Sequence, residues 1–316
     1  MDRALITVVI PVYNEENQIY ENTGIIRDYL LKTGMDFEIL LVDDGSADST
    51  WFILKMLAEA YPGIKALRLS RNFGKEAALC AGLETAGGDA CILMDADLQH
   101  PPELIPEMVR LWKEEGYEVV EGVKALRGKE SLINKAGANL FYRVLSKFSG
   151  FDINQASDFK LLDRKVVQAW KSMNERHTFF RGMSAWVGFN RASIPFNIRN
   201  RTNGTSKWSL FRLFKLAINA ITSFSSFPLH IVTFMGLVFL TGSLILGIQT
   251  IYMKLKGIAY SGFTTVILLL LIIGSALMIS LGIIGTYIAK IYDEVKQRPR
   301  YIVAEKTESE KELFVK

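Results

Sequence analysis

Two apolar runs, residues 229–251 and 264–288, constrain this chain more than any other feature. Each is nearly uncharged and longer than the roughly 20 residues a helix needs to cross about 30 Å of hydrocarbon. Two buried core helices are the alternative. The connection 254–262 is short, so the pair forms a hairpin with both ends on one side. Lys207, Arg212 and Lys215 precede it, and Lys290, Lys296, Arg298 and Arg300 follow it. The loop carries only Lys254 and Lys256, so the cation bias places both termini in the cytoplasm. Residues 208–227 mix Trp, Phe, Leu and Ile with Arg212 and Lys215. They read as an amphipathic helix at the membrane interface or as a packed connector. The tail 304–316 is charged and is expected to be mobile.

The chain has 316 residues, enough for one large domain beside the hairpin. The formal net charge of +4 is too modest to indicate nucleic-acid binding. Cys80 and Cys91 show neither a disulfide framework nor zinc spacing. His100, His177 and His230 are scattered, so no histidine-based metal site is expected. The apolar run 5–12 is too short for a secretory signal and ends in Pro11-Val12-Tyr13-Asn14 rather than a cleavage site. The first domain is therefore expected in the cytoplasm, where nucleotide-activated donors are found.

Short apolar runs alternate with amphipathic stretches through that domain. Strands are expected at 5–12, 37–42, 64–69, 90–94 and 118–123, with helices at 16–32, 49–60, 74–85 and 102–115. This alternation implies an α/β domain with a mostly parallel sheet covered by helices. A helix at 131–149, a strand at 157–162, a helix at 163–173, a strand at 189–196 and a polar loop at 199–207 follow. Ligands bind outside the carboxyl ends of such strands. The polar motifs fall there: Asn14-Glu15, Asp43-Asp44, Arg71-Asn72, and Asp95 with Asp97.

Two carboxylates one residue apart, Asp95 and Asp97, suit a divalent metal carrying a diphosphate. Mg²⁺ and Mn²⁺ prefer oxygen ligands and keep substrate phosphates in their shells. An acidic strand end that caps a helix is the plain alternative. Asp43-Asp44-Gly45-Ser46 can accept hydrogen bonds from a ribose or base, or can form a capping turn. Arg71 and Lys75 flank a helix start, a natural phosphate site, with surface ion pairing as the alternative. Arg127, Arg199, Arg201 and Lys207 could bind an acceptor phosphate or lipid headgroups. Asp158 is a candidate near the reacting centre, a strand-end cap, or a partner of Lys160.

The motifs Pro11-Val12-Tyr13-Asn14-Glu15-Glu16, Asp43-Asp44-Gly45-Ser46, Arg71-Asn72-Phe73-Gly74-Lys75 and Asp95-Ala96-Asp97-Leu98-Gln99-His100-Pro101-Pro102-Glu103 occur in that order. With Ser157-Asp158-Phe159 and Arg201-x-x-Gly204-x-Ser206-Lys207, the chain resembles glycosyltransferase family 2. More narrowly, it resembles the polyprenyl-phosphate glycosyltransferases, from Ile6 to about Arg300. The resemblance implies a GT-A fold and an inverting transfer. It implies that Asp95, Asp97 and Gln99 hold Mg²⁺ or Mn²⁺, and that Pro11, Tyr13, Glu15 and Asp43 line the nucleotide pocket beside Asp44. It also implies that Arg127, Arg201, Ser206 and Lys207 grip the lipid phosphate or close over the donor. Asp97 and Asp158 are the expected catalytic pair, with Asp158 as base or orienting group. Lys124 and Thr205 depart from the family pattern, where Arg and Glu are frequent. Lysine offers a point charge rather than a planar fork.

The expected organisation is a catalytic domain at 1–207, a juxtamembrane segment at 208–228, a transmembrane hairpin at 229–291 and a tail at 292–316. The expected reaction transfers sugar from a nucleotide sugar to polyprenyl (undecaprenyl) phosphate at the cytoplasmic face of the cell membrane. UDP-glucose and UDP-N-acetylglucosamine are the favoured donors, by resemblance. A separate flippase and a downstream transferase are the implied partners. Gly274 and Gly282 would permit the close helix packing of a homo-oligomer. A processive polysaccharide synthase fits less well, because both spans follow the catalytic domain and a Gln-x-x-Arg-Trp motif is missing. A silent nucleotide-sugar-binding scaffold is the alternative from another class.

Overall fold

The computed structural model describes residues 4–124, 158–173, 180, 186–196, 227–257 and 262–307. The chain divides into two compact units, Met1–Lys207 with Pro299–Lys316, and Trp208–Arg298. The first unit runs β1 (Leu5–Val12), α1 (Ile19–Leu31), β2 (Asp36–Asp43), α2 (Thr50–Ala60), β3 (Ile64–Leu69), α3 (Lys75–Thr85) and β4 (Ala90–Leu93). It continues with α4 (Ile105–Glu115), β5 (Val119–Lys124), β6 (Lys160–Asp163), α5 (Arg164–Lys171) and β7 (Arg191–Phe196). Helices α6 (Phe227–Leu255) and α7 (Phe263–Val295) form the second unit, and β8 (Val303–Lys306) returns to the first.

Among the described residues, the strands form one sheet in the order β7-β5-β6-β4-β1-β2-β3-β8. β1 lies parallel to both β2 and β4, and β2 lies parallel to β3. Strands covered on both faces read as continuous apolar runs. In β1, Ile6, Val8, Val9 and Ile10 are fully buried. Thr7 is the polar exception and is satisfied there: its Oγ1 donates to Glu38 Oε1 (2.6 Å) and accepts from Gly88 N–H (2.9 Å). β6 runs antiparallel between β4 and β5, and β5 pairs with β7 in parallel.

Helix α1 packs beside α2 and α4, while α3 packs on β1 and β2 and touches α5. Gly82 sets how closely α3 approaches the sheet. A Cβ there would lie 2.2 Å from Val9 Cγ1, so only glycine lets the helix sit this low.

The expected elements between residues 5 and 123 are present, with their ends shifted by a few residues. Helix α1 starts later than expected because residues 15–18 are spent in a turn. Asn14 takes a positive φ of 53°, and the N–H groups of Gln18 and Ile19 donate to the Glu15 carbonyl. The strand expected at 157–162 starts at Lys160. The helix expected at 131–149 lies outside the described residues.

The tail expected to be mobile begins instead as β8, antiparallel to β3. Thr307 closes the pairing, with its N–H donating to the Ala66 carbonyl (3.0 Å) and its Oγ1 accepting from Ala66 N–H (2.8 Å). The physical reason is the edge of β3, whose unpaired backbone groups find partners in the returning chain.

In the second unit, α6 and α7 touch one another. The stretches Pro228–Leu255 and Leu269–Val295 both have a mean hydropathy of 2.3, and their apolar side chains are not buried. Core helices would be covered, so the exposure counts against that alternative. Both helices are long and apolar enough to cross a membrane. Serine and threonine hydroxyls bond within the helix, as where Thr241 donates to the Leu237 carbonyl (2.8 Å) and Ser275 to that of Leu271 (2.8 Å). Residues 208–226, with the expected interfacial helix, lie outside the described residues.

Candidate active site

The carboxyl ends of β1, β2 and β4, with the start of α3, border one cleft. Pro11, Tyr13, Glu15, Asp44, Lys75, Asp95 and Asp97 line it, together with Asn72 and Gly74. The first loop is stitched to the second. Asn14 N–H donates to Ser46 Oγ (2.9 Å), Asn14 Oδ1 accepts from Ala47 N–H (2.9 Å), and Glu15 N–H donates to Thr50 Oγ1 (2.9 Å). Tyr13 is left 46% exposed. Burial raises the Glu15 carboxyl, with Asp97 and Asp48 adding to the effect.

The two aspartates after β2 do different things. Asp43 is fully buried and does not line the cleft. Its Oδ1 accepts from Ser46 N–H (3.0 Å), while Oδ2 makes no hydrogen bond and lies 3.3 Å from Arg68 Nε. Asp44 accepts from Phe73 N–H (2.7 Å) and Gly74 N–H (2.8 Å), and so fixes the approach to α3. Burial pushes both carboxyls up; at Asp44 the two N–H donors oppose it. Gly45 has φ +69°, and a Cβ there would meet the Arg71 backbone at 2.5 Å, so the loops after β2 and β3 interlock. Arg71 turns to its own loop, donating to the Asn72 carbonyl (3.2 Å), with its guanidinium 4.1 Å from the Phe73 ring centre.

Lys75 occupies the middle of the charge pattern. Its Nζ lies 2.5 Å from Asp95 Oδ1 and 2.8 Å from Asp158 Oδ2. Burial works to lower its pKa, but the two carboxylates outweigh burial and hold it above the ordinary value. Asp158 is thus paired with Lys75. Lys160 instead pairs with Glu121 (3.0 Å) in the buried layer beneath, where desolvation lowers its pKa.

Asp97 accepts from its own turn, through Gln99 N–H (3.1 Å) and Gln99 Nε2 (2.6 Å), with Leu98 at φ +54° between them. His100 supports the same turn, a role the sequence did not reveal. Its Nδ1 accepts from Asp95 N–H (3.1 Å), and its ring stacks on Phe159 at 5.2 Å. Burial lowers its pKa, which keeps the imidazole neutral and able to accept. The sequence signal was the tight turn from Asp95 to His100; the stacking partner Phe159 is distant in sequence. Arg127, Arg201, Ser206 and Lys207, expected at the acceptor, lie outside the described residues.

No group of three or more His, Cys, Asp or Glu side chains forms a metal site among the described residues. Two carboxylates on one turn nevertheless fit a hard cation that keeps phosphates and water as its other ligands. A cation, the Lys75 ammonium, already stands against Asp95.

Residues 7–168 match glycosyl transferase family 2. The chain is also 39% identical to an uncharacterised glycosyltransferase of Synechocystis, over 95% of each protein. The chain belongs to glycosyl transferase family 2. Its mostly parallel sheet is flanked by helices, and the protein is a glycosyltransferase. The transferase is 40% identical to the uncharacterised glycosyltransferase YkcC of Bacillus subtilis, over 94% of this chain and 92% of that one. It is 36% identical to the SfII prophage-derived bactoprenol glucosyl transferase of Shigella flexneri, over 94% of this chain and 97% of that one.

Proposed function

We propose that the transferase moves a sugar from a nucleotide sugar to a polyprenyl phosphate at the cytoplasmic face of the membrane, with inversion and with Mg²⁺ or Mn²⁺. The observation that carries this reading is the single cleft gathering Tyr13, Glu15, Asp44, Lys75, Asp95 and Asp97 at the strand ends. The two long apolar helices and the bactoprenol transferase among the relatives support a lipid acceptor.

Pro11, Tyr13 and Glu15 would hold the nucleoside, with the Asp43–Asp44 loop shaping the wall behind it. Asp95, Asp97 and the amide oxygen of Gln99 would hold the divalent ion. When bound, that ion supplies neutralisation of the charge that develops on the leaving diphosphate. Lys75 is released from Asp95 as the phosphates arrive, and with Arg71 it pairs with them. The acceptor phosphate oxygen forms the bond to the anomeric carbon as the bond to the diphosphate breaks. A phosphate monoester, with its second pKa about 6, is already largely dianionic at neutral pH and needs no general base. Asp158 therefore orients the acceptor or stabilises positive charge on the sugar. Arg127, Arg201, Ser206 and Lys207 would bind the acceptor phosphate.

UDP-glucose and UDP-N-acetylglucosamine are the favoured donors, and a separate protein would flip the product. The test offers purified protein undecaprenyl phosphate, Mn²⁺ or Mg²⁺, and a panel of radiolabelled nucleotide sugars. Metal-dependent label in the organic phase with one donor supports the proposal and names the sugar. Protein that binds UDP or GDP but labels no lipid with any donor counts against the lipid acceptor.

A further inference from the structure

Asp43, Arg68 and Glu305 stand in one row across three strands. Asp43 of β2 is the register partner of Arg68 of β3, and Arg68 is the partner of Glu305 of β8. Residues directly opposite on neighbouring strands share a face and interact, so the row alternates negative, positive, negative. The Arg68 guanidinium uses its fork in three directions. Nη1 lies 3.3 Å from Glu305 Oε1, Nη2 donates to the Ser46 carbonyl (3.2 Å), and Nε lies 3.3 Å from Asp43 Oδ2. Glu305 is itself held, because its Oε2 accepts from Trp51 Nε1–H (3.0 Å).

The row ends on the cleft's loops. Ser46 is gripped at both backbone ends, its N–H by Asp43 and its carbonyl by Arg68. Its hydroxyl accepts from the N–H of Asn14, the residue after Tyr13. A point charge could not donate to Glu305 and Ser46 while facing the Asp43 carboxylate; a planar fork can.

We propose that Arg68 is a positioning residue for the nucleotide, and that strand β8 takes part in donor binding by supplying Glu305, the carboxylate that orients it. The inference rests on the reading of the Tyr13 and Ser46 edge as the nucleotide site. The side chains of Arg68 and Glu305 are 31% and 48% exposed. An ion pair this exposed contributes little to folding, so removing Glu305 reads position rather than stability, whereas removing Arg68 also strips the buried Asp43 of its counter-charge, which is why Tm is measured beside affinity.

The experiment uses the full-length protein in detergent. Calorimetric affinity for UDP and GDP, donor KM, kcat and Tm are measured for Arg68→Met, Arg68→Lys, Glu305→Gln and Tyr13→Ala. Arg68→Met is expected to weaken nucleotide binding and raise donor KM by about tenfold, with kcat within about twofold. Arg68→Lys is expected to recover part of that loss, and Glu305→Gln to move the same quantities in the same direction by a few fold. Should Arg68→Met fail to fold, Glu305→Gln at the exposed end of the row carries the test. Unchanged affinity and KM in the Arg68 and Glu305 variants, with weakened binding in Tyr13→Ala, overturns the proposal and leaves the nucleotide reading standing. Unchanged binding in all four removes the nucleotide reading and the proposal with it. A fall in Tm and kcat at constant KM assigns the row to folding alone and overturns the proposal.

Discussion

Lys75 keeps Asp95 and Asp158 from facing each other uncompensated. Lys75→Met should lower transfer by roughly 10²–10³, the usual loss when one stabilising charge leaves an active site. The same variant should bind Mn²⁺ more tightly than the wild type without nucleotide, because the competing cation is gone; a paramagnetic titration reads this directly. Weaker Mn²⁺ binding would show that Lys75 is not a competitor. Asp97→Ala should abolish transfer, whereas Asp158→Asn should leave a measurable rate. Full activity in Asp97→Ala would sink the metal assignment, and complete loss in Asp158→Asn with both substrates still bound would favour a base. His100 sets a pH dependence. Burial holds its folded pKa below 6.5; Asp95, Asp158 and Asp97 oppose that shift, and Lys75 adds to it. On acidification the unfolded chain takes the proton first, so stability is full above 6.5 and falls as pH drops through the interval down to the folded pKa. Tm compared at about pH 7.5 and about pH 5.5 should fall more in wild type than in His100→Gln, which keeps an acceptor but does not titrate. Asp44, Asp95 and Asp97 were legible because they follow apolar runs at the place where strands end, and Lys75 because it opens a helix. The burial of Asp43 and the bond from Asp95 to His100 were not, since both depend on neighbours that only folding supplies.

At the scale of elements, strands with long apolar runs announced themselves, and β8 did not. Val-Ala-Glu-Lys has no core-facing pattern, and most of it stays exposed. What makes it a strand is the vacant edge of β3, a fact about another part of the chain. Helix α3 was legible as a helix, but its fit to the sheet was not, because the small volume at Gly82 has meaning only beside Val9. Gly82→Ala should destabilise the first unit by about 1–3 kcal/mol through overpacking. A thermal melt checks this, and an unchanged Tm would show that α3 can lift without cost. The buried Lys160–Glu121 pair ties β6 to β5 just beyond Asp158, and only the register of those strands brings the two together.

For the whole molecule, the proposed hairpin topology makes a prediction about sidedness. Cys80 and Cys91 are buried, so single cysteines can be introduced on a quiet background. Lys256→Cys, between α6 and α7, should react with an impermeant maleimide from outside the cell. Lys316→Cys should react only in inverted vesicles. Labelling of both from one side would contradict the hairpin, and labelling of each from the opposite side would reverse it. The hydropathy of the two apolar helices was the most legible signal in the chain, since a long uninterrupted apolar run reads directly from composition. The return of the chain to the sheet was hidden, because it appears only as a few polar residues past α7.

That return makes the pair of apolar helices an insertion rather than an appendage: β7 precedes it, β8 follows it, and both strands belong to one sheet. A stop codon placed before α6 would therefore remove a strand along with the two apolar helices. It would expose the β3 edge and leave Arg68 without Glu305. A water-soluble catalytic fragment calls for excision with a splice, joining the residues near 207 to those near 299 through a flexible bridge.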